Sequence, residues 1–143
     1  MSRTAGRTSS PETYRALFAL DKRLSESLGA VLYDLVKLRA SQINGCAYCV
    51  DKHSTDLERL GVPPRTLYGL TAWDESPFFD EAQRVALTFV ERLTGGIDTV
   101  DDALWDEAGR LLGEERRTDL IVAVGTINTM NMLGITTHLH PAA

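Results

Sequence analysis

Positive charge is scarce in this chain: 15 Lys and Arg stand against 20 Asp and Glu, leaving a formal net charge of -5. The basic residues are scattered as singles and doublets such as Arg116-Arg117, so the basic face of a nucleic-acid binder is missing. No apolar run approaches the roughly 20 residues that a membrane span requires. Arg3 and Arg7 lie near the start, but no hydrophobic signal core follows them. The expectation is a cytoplasmic protein with neither nucleic acid nor membrane as partner. There is no glycine-rich phosphate cradle, no low-complexity segment and no internal repeat, and no cofactor-binding motif is read. Strict apolar–polar alternation is also rare, which argues against sheets. Cysteine occurs only twice, at Cys46 and Cys49.

What the chain does contain is helical periodicity. With 143 residues, 43% of them hydrophobic, it suits one domain with a real core. Ser10-Pro11-Glu12 reads as a helix start, and Tyr14, Leu17, Phe18, Leu24 and Leu28 then recur on one face. Gly29 ends or kinks this helix. A second runs from about Ala30 with Leu32, Leu35, Val36 and Ile43, and Asn44-Gly45 breaks it. A third starts near Cys46 and stops at Gly61, before Pro63-Pro64. Asp80 to Gln83 has the form of a capping box. It opens a helix burying Ala82, Val85, Ala86, Phe89, Val90 and Leu93, closed by Gly95-Gly96. Thr99 with Asp102 begins another. After Gly113, the segment from Glu114 to about His138 is largely apolar, as expected of a helix buried in the domain or against another subunit. The expectation is an all-α fold: a flexible tail over residues 1–10 and a single helical domain over 11–143, with a redox motif at 34–53.

The chemistry centres on Cys46-Ala47-Tyr48-Cys49 and His53. Thiols at i and i+3 with an imidazole four residues on share one helix stripe. A helix N-terminus favours thiolate there, and His53 can accept the thiol proton or stabilise the anion. A thiolate beside a second thiol can attack a peroxide, become a sulfenic acid and close a disulfide. A dithiol carrier needs the same parts. Two buried small hydrophobes are a further reading. So is zinc held by Cys46, Cys49 and His53 with His138 or His140. The two late histidines are better read as polar groups at a helix C-terminus, and no metal is assigned.

The run from Leu35 to His53, LVKLRASQINGCAYCVDKH, resembles the alkylhydroperoxidase D-like branch of the carboxymuconolactone decarboxylase family. Trp73 to Phe79 and Thr126-Ile127-Asn128 extend the likeness to most of the chain from Tyr14 onward. The resemblance implies an all-α homo-oligomer, a trimer or hexamer. It also implies a thiol peroxidase with a hydroperoxide substrate and an external dithiol reductant. Cys49 then corresponds to the attacking cysteine, Cys46 to its resolving partner and His53 to the proton relay. The relay's glutamate is replaced by Asp34, and Tyr48 stands where the best-known peroxidases carry a second histidine. A decarboxylase of the same family and a redox-responsive scaffold are the alternatives.

Overall fold

The computed structural model describes residues 3–143, so Met1 and Ser2 of the expected tail lie outside it. The elements in order are α1 (Gly6–Ser9), α2 (Pro11–Leu28), α3 (Ala30–Asn44), α4 (Ala47–Arg59) and α5 (Pro64–Tyr68). A 3-10 segment (Leu70–Glu75), α6 (Glu81–Leu93) and α7 (Asp102–Thr136) complete the chain. No strand occurs among the described residues.

α3 is the central element. Every residue from Leu32 to Leu38 is buried, because α2, α4, α6 and α7 pack around it. Tyr33, Val36 and Ala40 face one core cluster with Leu24 and Leu28 of α2, Phe89 and Val90 of α6, and Leu120, Val124 and Ile127 of α7. Leu35 and Leu38 face a second with Leu57, Leu67, Leu70 and Leu87. The buried polar residues of α3, Asp34, Lys37 and Ser41, recur at three- and four-residue spacing, so they form one polar line through an otherwise apolar helix.

Several boundaries follow from local chemistry. Asp80 caps α6 in a complete capping box with Gln83, and Gly29 (φ 89) and Gly45 (φ 75) supply the positive φ that separates α2, α3 and α4. Gly113 (φ 81) breaks α7 into two helical segments. Other expectations need correction. The Ser10 hydroxyl donates to Thr13 Oγ1 instead of capping a backbone amide. The N-cap of α7 is Asp101, whose carboxylate accepts from Leu104 N at 2.8 Å, not Thr99. Phe18 is 52% exposed, so the front half of α2 does not join the core. α7 is long and apolar enough by composition to cross a membrane, which an inspection of uninterrupted runs misses. Its break at Gly113 and its inner face in the core mark it as a packing helix.

Residues 5–9 are also placed. α1 lies against α2, and Arg3 Nη1 donates to Thr136 O at 2.8 Å, joining the start of the chain to the end of α7.

Candidate redox site

The turn between α3 and α4 sets the site. Gly45 turns the chain, and the amides of Gly45 and Cys46 both donate to Ser41 O, at 2.9 and 3.1 Å. Cys46 therefore becomes the N-cap of α4, one position outside the first turn where the sequence puts it. Its Sγ accepts from Cys49 N at 3.3 Å. Both sulfurs lie at the positive end of α4, where unpaired amides favour negative charge, and they are joined in a disulfide.

Access to the two sulfurs differs. Gly134 of α7 lies directly against them: a Cβ there would stand 3.1 Å from Cys46 Sγ and 3.6 Å from Cys49 Sγ. Cys46 is 1% exposed and lines no part of the adjoining cavity. Cys49 does line that cavity, whose volume is about 570 Å³. Asp34, Lys37, Tyr48, Lys52, His53 and Asp56 share its lining, while Tyr14, Leu17 and Phe18 of α2 and Leu133 of α7 supply apolar wall. This gives the half-exposed front of α2 its place.

His53 follows Cys49 by four positions on α4, on the same helix face. Burial, followed by the charges of Lys37 and Lys52, lowers its pKa to about 3. The imidazole is therefore neutral at physiological pH. Its Nδ1 is buried and has no hydrogen-bond partner. Asp34 Oδ1 stands 4.0 Å away, beyond hydrogen-bond reach. The aspartate in place of the family's glutamate thus faces the imidazole without bonding to it. Burial raises the pKa of Asp34, against the lowering effect of Lys37. Lys37 Nζ lies 3.2 Å from Asp34 Oδ1 and 3.3 Å from Asp21 Oδ1, and 4.2 Å above the Tyr33 ring. Tyr33 in turn donates to Asp21 Oδ1 at 2.7 Å. Removing one member of such a buried pair costs about 3–5 kcal/mol, because the other charge is left uncompensated.

Cys46, Cys49, His53 and Asp34 are thus brought together as the sequence proposes. His138 and His140 lie beyond α7 and do not line the cavity, so the zinc set that includes them is not assembled. Lys37, Asp21, Asp56 and Gly134 escaped the sequence reading. Lys37 left a signal, as a lysine in an apolar helical run. Gly134 left one too, as a glycine inside an apolar helix, which marks close backbone approach.

Residues 11–92 match the carboxymuconolactone decarboxylase family. The chain belongs to that family. Within it, the chain is alkylhydroperoxidase D-like. YdfG of Bacillus subtilis (strain 168), an uncharacterized protein, is 31% identical over 127 residues, covering 87% of this chain and 86% of its own. A protein of unknown function from Agrobacterium tumefaciens bears the provisional designation antioxidant defence protein AhpD. Its crystal structure is 31% identical, covers all of both chains and superposes with a TM-score of 0.86. The debrominase Bmp8, 21% identical, superposes with a TM-score of 0.82 over 95% of this chain and 74% of its own, a likeness of fold alone. A shared fold therefore does not by itself fix the reaction.

Proposed function

We propose that this family member is a thiol-dependent peroxidase that reduces hydroperoxides through a Cys46/Cys49 dithiol–disulfide cycle in antioxidant defence. The observation that carries this reading is the asymmetry of the pair: Cys49 borders a cavity shared with a neutral, buried imidazole, while α7 covers Cys46.

In the reduced protein, His53 is the acceptor for the Cys49 thiol proton. Burial disfavours an isolated imidazolium there, so the transfer is supported by pairing with the new thiolate and by the Asp34 carboxylate nearby. The thiolate attacks the distal peroxide oxygen. The O–O bond breaks, Cys49 becomes a sulfenic acid and the leaving alkoxide takes the proton held by His53 and departs as the alcohol. Cys46 then condenses with the sulfenic acid, forming the S–S bond and releasing water. An external dithiol attacks Cys49 from the cavity. Cys46 leaves as a thiolate held by the Cys49 amide at the N-terminus of α4, and the dithiol ends as a disulfide. We take the enzyme to be a cytoplasmic homo-oligomer, a trimer or hexamer. The exposed side chains of Val122, Met132 and Ile135 on α7 give that assembly an apolar surface.

The test is peroxide consumption with dithiothreitol as reductant. Cys49→Ser and Cys46→Ser should each abolish turnover. If both substituted proteins consume peroxide like the parent, the peroxidase reading fails. A single stoichiometric oxidation of the parent without turnover would instead favour a disulfide carrier.

A further inference from the structure

Asp34, His53 and Asp56 form a second constellation inside the same cavity. One ligand-capable atom of each lies within 4.8 Å of those of the other two. His53 and Asp56 are three residues apart on α4 and share a face, and Asp34 meets them from α3. The His53 side chain is 5% exposed, and its Nδ1 has no hydrogen-bond partner. A buried nitrogen left unsatisfied between two carboxylates calls for a ligand. Donors about 2.0–2.2 Å from a tetrahedral zinc stand roughly 3.4 Å apart, so these three need to draw in by at most about 1.4 Å.

Opening the disulfide supplies a fourth donor. Cys49 lies four positions before His53 and seven before Asp56 on α4, and borders the same cavity. One thiolate, one imidazole and two carboxylates make a mixed S, N and O set that suits zinc. The neighbouring lysines leave room for it. Lys52, 3.0 Å from Asp56 Oδ2, has a side chain 51% exposed and can turn into solvent. Lys37 stays on Asp34 as the outer partner that fixes a ligating carboxylate.

We propose that the reduced protein binds one Zn²⁺ per chain through Asp34, Cys49, His53 and Asp56, and that closure of the Cys46–Cys49 disulfide releases it. Binding displaces the Cys49 thiol proton. A hydroperoxide takes two electrons from Cys46 and Cys49 and leaves as alcohol and water, and the disulfide so formed withdraws the sulfur and leaves three donors. Zinc-bound Cys49 therefore meets peroxide more slowly than the free thiolate does. This effect on turnover rests on the peroxidase reading, whereas the binding itself does not.

Co²⁺ is the probe, titrated into the full chain kept reduced with a phosphine and then competed with Zn²⁺. The expected result is one equivalent bound, with a thiolate-to-cobalt absorption band that Cys46→Ser retains and Cys49→Ser loses. Asp56→Asn should weaken binding by at least about tenfold. Asp56 is only partly buried, and circular dichroism verifies that this variant folds. Absence of the thiolate band, equal affinity in the disulfide form, or affinity unchanged by Asp56→Asn would each overturn the proposal. Peroxide turnover of the metal-free protein is scored separately, so failure of the zinc site and failure of the peroxidase reading are distinguishable.

Discussion

His53 carries the strongest electrostatic constraint in the site. An ordinary histidine titrates near 6.5, and burial lowers this one to about 3. Between those values the unfolded chain binds a proton that the native protein refuses. The stability due to the neutral imidazole is thus complete above about pH 6.5 and is lost as pH falls toward 3, at about 1.4 kcal/mol per pH unit. The raised pKa of Asp34 acts with the opposite sign, its contribution being lost as pH rises, so the comparison must isolate the histidine. His53→Gln should flatten the acid limb of stability between pH 6.5 and 4 relative to the parent, measured by urea denaturation at a series of pH values. Parallel profiles would show that the imidazole is not held neutral by burial. Spacing alone made His53 legible, since i to i+4 places it on the face of Cys49. Its neutrality was not legible, because it depends on Lys37 and Lys52 and on burial under elements distant in sequence.

At the scale of elements, the site depends on how closely α7 approaches the start of α4. Gly134 makes that approach possible, its missing side chain leaving space that the sulfurs fill. On helix propensity alone, Gly134→Ala should stabilise α7 by about 1 kcal/mol. The contact at 3.1 Å with Cys46 Sγ, which the disulfide holds in place, opposes this by about 1–3 kcal/mol as in other overpacked interiors, so a net loss of up to about 2 kcal/mol is expected. Urea denaturation of the oxidised protein measures it, and an equal or higher stability would contradict the close packing. The helices themselves were largely legible. The period of α6, its capping box and the glycine breaks at 29, 45 and 113 mark them. The front of α2 was misjudged for a physical reason. Tyr14, Leu17 and Phe18 form an apolar stripe whether the stripe faces a core or a cavity, and periodicity does not separate the two. The N-cap of α7 was missed because Asp101 and Thr99 both have capping side chains, and backbone geometry chooses between them.

At the scale of the whole molecule, α2, α3, α4 and α7 close a cavity over one sulfur and cover the other. The motif from Asp34 to His53 pointed to thiol redox chemistry, but not to this asymmetry. Gly134 and the α2 wall come from opposite ends of the chain, and nothing local relates them to Cys49. The fold alone does not fix the activity, since a debrominase shares it. The central claim is that Cys49 is the sulfur that meets the peroxide. It is tested most directly by giving the reduced protein a brief, substoichiometric peroxide pulse, trapping sulfenic acid and locating it by mass spectrometry. The account predicts the label on Cys49, accumulating in Cys46→Ser where no partner thiol can close the disulfide. A label confined to Cys46, or none on either cysteine, would contradict it.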